Sequence, residues 1–150
     1  PLLPESMLIL AQAHMEEDEY LLARFYVDEY IKRFGSRENI DFAKHLKIKA
    51  GFRSFELSGR DQQLLLDTIE EGERFIRENP YSPYRPLIDT MLVKMHLANH
   101  HLNLRIAELY TQLDKPEAAD RYRDKAPYPW VKELTATEPD SAWYRDIFNW

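Results

Sequence analysis

The stretch IAELYTQLDKPEAADRYRDKA, residues 106 to 126, decides the reading of the fold. Its bulky and small residues recur on a helical period, so that Ile106, Ala107, Tyr110, Leu113, Ala119 and Ala126 fall where two antiparallel helices would meet. Small side chains at Ala107 and Ala119 let the two backbones approach, while Tyr110 and Leu113 fill the space beside them. Between the two runs Asp114 and Lys115 make a turn. Pro116 then opens the second helix at the position where its missing N–H costs nothing.

A small residue opposite bulky ones, followed by more small ones on the returning helix, is the pattern of a tetratricopeptide (TPR) unit. Working outward, the same reading extends to both ends. A helix over about Glu5 to Met15 carries Met7, Leu8, Leu10, Ala11 and His14 on one stripe, with Ala11 at the crossing. The acidic run Glu16-Glu17-Asp18-Glu19 follows as a turn; it lacks the alternating ligands and glycine of a Ca²⁺ loop and offsets the positive end of the next helix. That helix, about Glu19 to Phe34, places Tyr20, Ala23, Val27, Tyr30 and Ile31 together and ends at Gly35. Asn39 is the expected N-cap of a helix running to about Leu57, with Ser58-Gly59 as its stop. Its partner spans Asp61 to Asn79, offers Leu65, Leu66, Ile69, Phe75 and Ile76 for burial, and is terminated by Pro80.

From Tyr84 to about Leu113 there is no Pro or Gly beyond Pro86, which falls in the first turn, and this predicts one long helix. Leu87, Met91, Met95, Ala98, Leu102 and Ala107 would face the earlier pairs, while Ile106, Tyr110 and Leu113 pack on a last short helix, Glu117 to Lys125. Recurrences such as Tyr30-Ile31-Lys32-Arg33 with Phe75-Ile76-Arg77-Glu78 suggest a repeat near 40 residues. The expected fold is therefore all-α, a TPR-like α-α superhelix of about three helix pairs over residues 1–126. Residues 127–150 form a Pro-containing tail, irregular at first, ending in a short aromatic helix with Trp143, Ile147 and Trp150 on one stripe. That stripe would dock on its own domain or anchor a partner or a membrane surface.

Composition is consistent with this and narrows function. The chain has 150 residues, 44% hydrophobic and 13% aromatic, enough for one buried core. Its four glycines are read as lying mostly outside the periodic segments, which favours helices over strands. A net charge of −6 argues against nucleic acid as the main ligand. With no cysteine there are no disulfides or thiolate metal sites, though no compartment follows from that. No apolar run approaches the roughly 20 residues that span a bilayer. The chain opens on Pro1 in mid-pattern, which suggests a trimmed fragment whose targeting segment has been removed. A missing helix pair would leave Leu2, Leu3 and Met7 bare, open to artificial pairing in crystals.

An enzyme is not expected. His96-x-x-x-His100, with His101 adjacent, is the best chemical candidate because i, i+4 histidines share a helix face and can chelate Zn²⁺. No glutamate follows His96 directly, so the metalloprotease pattern is absent, and the bland reading is a polar face with one histidine packed inside. Carboxylates form charged helical surfaces, and no glycine-rich loop exists to cradle phosphate; neither a metal nor a cofactor is expected.

The segments PLLPESMLILAQAHMEEDEYLLARFYVDEYIKRF, NIDFAKHLKIKA, DQQLLLDTIEEGERFIRENPYSPYRPLIDTMLVKMHLANHHLNLRIAELYTQLDKPEAADRY and the terminal WYRDIFNW together resemble the BamD family, TPR-containing lipoproteins of outer-membrane β-barrel assembly in Gram-negative bacteria, in its epsilonproteobacterial form. The landmarks are Asn39-Ile40-Asp41-Phe42, Asn79-Pro80 with Ser82-Pro83-Tyr84, and Ala107-Glu108 followed by Tyr110-Thr111. The resemblance implies a non-catalytic adaptor of the BAM complex at the periplasmic face of the outer membrane. It would dock on the POTRA domains of BamA and help receive unfolded outer-membrane proteins. Family members are anchored through a lipidated N-terminal cysteine; the present sequence contains no cysteine, and set against the family it would lack the first repeat.

Two surfaces are then expected. In stacked helix pairs the first helix of each pair lines the concave side, so Phe42, His45, Lys49, Phe52 and Arg53 would present aromatic and cationic groups as a peptide groove. The resemblance implies for it an extended peptide ending in an aromatic residue and carboxylate; alternatively, the phenylalanines are core and the cations merely solvated. The family docks on POTRA domains through its C-terminal repeats, which here implies the region of Glu108, Thr111, Gln112, Asp114, Lys115 and Arg121. The competing function is a generic TPR module for an unrelated peptide partner, which would share every packing feature.

Overall fold

The structure, a computed structural model, describes residues 3–35, 38 and 40–135. Pro1, Leu2, the Asn39 cap and the Trp143/Ile147/Trp150 stripe lie outside the described residues. Within them the chain is helical with no strand. The elements are α1 (Pro4–Glu16), α2 (Tyr20–Phe34), α3 (Ile40–Ser58), α4 (Gln62–Glu78), α5 (Arg85–Gln112), α6 (Pro116–Arg123) and α7 (Pro129–Thr135). This is the expected all-α, TPR-like chain. Asp61 caps α4 by accepting from the Leu64 N–H at 2.9 Å, and Pro116 is among the first residues of α6. Helix α7 forms where composition suggests irregular chain: Pro129 opens it, and Val131 is fully buried, so tertiary packing prevails over the Pro-rich surroundings.

The chain forms two compact units that divide within α5, between Leu92 and Val93. In the first, α1 packs on α2, α2 on α3 and α3 on α4. Met7, Ala11, Val27, Tyr30, Ala43 and Leu46 make one core cluster, with Leu8, Met15, Ile31, Phe34 and Phe42 packed against it. Met7, expected to lie bare, is buried, whereas Leu3 is exposed. Full burial of each large apolar side chain contributes about 1.5–3 kcal/mol. Leu66 and Leu87, read as core by their spacing, are largely exposed.

Two of the four glycines lie inside helices rather than outside them. Gly51 of α3 faces Thr68 of α4 so closely that a Cβ there would come within 2.4 Å of Thr68 Oγ1 and 2.7 Å of Arg24 Nη1. The missing side chain makes room for a half-buried network. Arg24 of α2 donates to Glu71 of α4 at 3.0 and 3.2 Å and to the Lys47 carbonyl at 3.1 Å. Lys47 of α3 in turn lies 2.7 Å from Asp28 and 3.2 Å from Glu71, so that three helices are joined through four charges.

The turns reveal a repeat that residue spacing near 40 does not capture. At the α1–α2 turn Asp18 adopts φ +59°, with Glu19 N–H donating to His14 O (2.8 Å) and Asp18 N–H to Met15 O (3.3 Å). At the α5–α6 turn Asp114 adopts φ +56°, with Lys115 N–H donating to Tyr110 O (2.9 Å) and Asp114 N–H to Thr111 O (3.1 Å). Both are Schellman closures with aspartate in the left-handed position. Ala11 and Ala23 around the first turn match Ala107 and Ala119 around the second, all essentially fully buried. The α3–α4 connection differs: Gly59, at φ +61°, closes α3 with a single bond to Phe55 O (2.6 Å).

In the second unit the later part of α5 joins α6 and α7. Tyr110 stacks on Tyr122 with centroids 5.5 Å apart, and Lys125 Nζ lies 4.2 Å above the Tyr122 ring. Leu113 does not pack on α6 as its spacing suggests. It follows the last helical residue, Gln112, and the left-handed turn at Asp114 directs it outward, leaving it 64% exposed.

Candidate functional site

On α3, helical phase brings Phe42, His45, Lys49, Phe52 and Arg53 towards one side, but their environments differ. Asp41 fixes the start of the helix: one carboxylate oxygen accepts from the Phe42 N–H (2.9 Å) and the other from the Ser82 hydroxyl (2.7 Å). That second bond ties the α4–α5 loop to α3 and brings Tyr84 over the helix. The His45 ring stacks on Tyr84 at 4.7 Å and 15°, with Phe42 5.6 Å from Tyr84. His45 is 7% exposed, and its Nδ1 has no hydrogen-bond partner among the described residues. Burial, reinforced by the Lys49 charge and opposed by Asp41, lowers its pKa, so the ring is neutral near pH 7. Phe52 is buried too, leaving Phe42 half-buried and Lys49 and Arg53 exposed. Arg53 pairs with Glu56 at 2.8 Å. The ligand-accessible part of this side is thus two cations beside the edge of an aromatic cluster.

On the α5–α6 hairpin the six positions Glu108, Thr111, Gln112, Asp114, Lys115 and Arg121 are all exposed. Thr111 is held in place: its hydroxyl donates to Ala107 O (3.0 Å) and accepts from Arg123 (2.7 Å), which also pairs with Asp120 (2.8 Å). The same hairpin exposes two leucines that composition alone does not reveal, Leu109 at 58% and Leu113 at 64%. At 3.6 residues per turn Leu109 lies roughly 200° around the helix from Ala107, opposite the packing seam, and that phase is its signal. Leu113 follows the last residue of α5 and is directed outward by the left-handed turn at Asp114. The result is a rigid, charge-rimmed apolar pair beside a tight turn, an arrangement suited to protein–protein contact.

The histidines of α5 make a packed polar interior. His96, His100 and His101 are all buried, rather than one. His96 meets Tyr128 edge-on at 5.2 Å and Trp130 at 6.2 Å, and His100 Nδ1 lies 3.4 Å from Lys125 O. Among the described residues no three His, Cys, Asp or Glu side chains are grouped to hold a metal ion. Nor is any described helix long and apolar enough to cross a membrane.

Residues 1–125 match the family model described as YfiO, outer membrane lipoprotein. Across all of its 150 residues the chain is 40% identical to the outer membrane protein assembly factor BamD of Helicobacter pylori, covering 68% of that protein. No solved structure matches.

Proposed function

The chain belongs to the YfiO/BamD family of outer membrane lipoproteins, whose place is at the outer membrane and whose role is outer-membrane protein assembly, and from that premise we propose that it is a non-catalytic adaptor of the β-barrel assembly complex. In this reading the α5–α6 hairpin docks on the POTRA domains of BamA, and the first unit helps receive unfolded outer-membrane proteins.

The observation that carries the docking half is the exposed pair Leu109 and Leu113, framed by Glu108, Gln112, Asp114, Lys115 and Arg121. An apolar centre with a charged rim is how a modest interface excludes water from its energetic core. Two αα turns of identical hydrogen bonding also present similar frames, yet Ala13 and Glu17 of α1–α2 stand where Leu109 and Leu113 stand in α5–α6, so the first helix of the earlier pair carries no such leucines.

The test is a pull-down with isolated BamA POTRA domains, comparing the native chain with Asp114→Lys/Lys115→Glu and with Leu109→Asp/Leu113→Asp. Retention by the native chain, weakening by the charge reversal and loss with the leucine variant support the proposal. No retention of the native chain refutes POTRA docking and favours a generic TPR module with another partner. Unchanged retention of the leucine variant refutes the assignment to this hairpin.

A further inference from the structure

The α4–α5 connection, residues 79–84, lies against the start of α3 within the first unit and is tied there at two points. Asp41 accepts from the Ser82 hydroxyl at 2.7 Å, and the Ser82 oxygen accepts in turn from the Tyr84 N–H at 3.3 Å. One turn further along α3 the His45 ring lies face to face with Tyr84, 4.7 Å away and tilted by 15°, and Phe42 is 5.6 Å from the same tyrosine. Much of the connection is otherwise in water, with Tyr81 97% exposed and Pro80 and Pro83 exposed beside it.

His45 makes the second tie conditional. A neutral imidazole carries one proton, whereas an imidazolium carries one on each ring nitrogen. Nδ1 is buried with no hydrogen-bond partner among the described residues, so as an imidazolium nitrogen it becomes a donor with nothing to receive its proton. The face of a tyrosine attracts a cation, but lost hydration outweighs that: burial first, then the Lys49 charge, lowers the ring's pKa, and Asp41 opposes them. The connection itself, Asn-Pro-Tyr-Ser-Pro-Tyr, holds no charged residue. Charges on the neighbouring helices are engaged elsewhere: Glu78 of α4 with Lys44 at 3.3 Å, Arg85 with Asp89 on α5 at 3.5 Å, and Arg24 and Asp28 of α2 with Glu71 and Lys47.

A protonated ring reaches water by one of two routes. Moving α3 uncovers Ala43, Leu46 and Ile48, which are buried in the core, whereas moving Tyr84 breaks one ring stack and strains one hydroxyl bond. The second route disturbs far less of the structure. We propose that the α4–α5 connection is a proton-released strap: one proton on His45 lifts Tyr84 off the ring, frees residues 79–84 from α3 and uncovers Phe42 beside Lys49 and Arg53, with α1 to α4 still packed. The strap is closed above about pH 6.5 and opens as pH falls through the depressed value of the closed state. Access to this side of α3 is thereby set by proton concentration, whatever occupies it.

The experiment follows the full chain by NMR with carbon-13 in the histidine and tyrosine rings, from about pH 7.5 to about pH 4.5, a range that brackets the ordinary histidine value. The His45 and Tyr84 signals move together with one midpoint below 6.5, the Overhauser contact between the two rings disappears across it, and far-ultraviolet circular dichroism stays flat. Ser82→Ala removes the tie to Asp41 but not the stack; a strap loosened about tenfold opens up to about one pH unit higher, towards 6.5. In His45→Phe, or in His45→Gln should the first variant fold poorly, the Tyr84 signals no longer move in this range. A Tyr84 ring that keeps its contact while His45 titrates, one that moves equally without His45, or release that comes only with loss of helical signal overturns the strap.

Discussion

Replacing Gly51 by alanine sets two effects of opposite sign against each other. In a helix interior the change is favourable by about 0.8–1.0 kcal/mol through propensity. Here the added methyl would lie 2.4 Å from Thr68 Oγ1, 2.9 Å from Thr68 Cγ2 and 2.7 Å from Arg24 Nη1. Thr68 cannot swing away cheaply, because it is fully buried and its hydroxyl donates to Leu64 O at 2.6 Å. Overpacking of this kind costs about 1–3 kcal/mol, and displacing Arg24 also loosens its charge-assisted bonds to Glu71. The sterics win, giving a net destabilisation of about 2 kcal/mol, or ~4–8 °C in Tm for a chain this size. The assay is thermal and urea unfolding followed by circular dichroism, run as a double-mutant cycle with Thr68→Ala. Thr68→Ala removes two of the three clashing atoms, so the pair should couple favourably by about 1 kcal/mol or more. A Gly51→Ala variant more stable than the native chain, with no coupling to Thr68, would refute the close α3–α4 approach.

Asp114 pays for its left-handed backbone, so Asp114→Gly should raise stability by ~0.5–1 kcal/mol and Asp114→Val lower it by about 1 kcal/mol, read from urea midpoints. The depressed pKa of His45 means that the unfolded chain takes up its proton first: stability is complete above about pH 6.5 and declines as pH falls below it, towards the lower folded value. His45→Phe, which keeps an aromatic ring against Tyr84, should remove that part of the pH dependence; identical pH–stability curves for the two proteins would count against the buried neutral ring. Leu109→Asp/Leu113→Asp should lower Tm by only a few degrees, because both side chains are mostly in water and each new carboxylate costs about 0.3–1 kcal/mol at the C-terminal end of α5, while abolishing retention on POTRA domains.

Much of the fold is legible in the chain. Ala107 and Ala119 around Asp114 and Pro116, and Ala11 on the first helix, mark close helix crossings by size alone, and Gly59 and Asp61 mark a stop and a start through backbone chemistry. What is not legible is tertiary. Gly51 and Gly72 are costly inside isolated helices and acquire their purpose only from Thr68 and Leu92 opposite them. The burial of His96, His100 and His101 depends on what covers α5, including Tyr128 and Trp130, which no local pattern announces. At the candidate surfaces the polar positions of the α5–α6 hairpin follow from helical phase. Leu113 does not, because its place is decided by the turn after the helix has ended. On α3, likewise, the stacking of Tyr84 on His45 depends on the loop that Asp41 and Ser82 hold, and spacing within α3 carries no trace of it.

The adaptor account is tested most directly by hydrogen exchange of the intact chain with and without saturating POTRA domains. It predicts slowed exchange across the end of α5, the Asp114 turn and α6, with α1 and α2 unchanged. Exchange unaltered along the whole chain, or slowed only in α1 and α2, would contradict it.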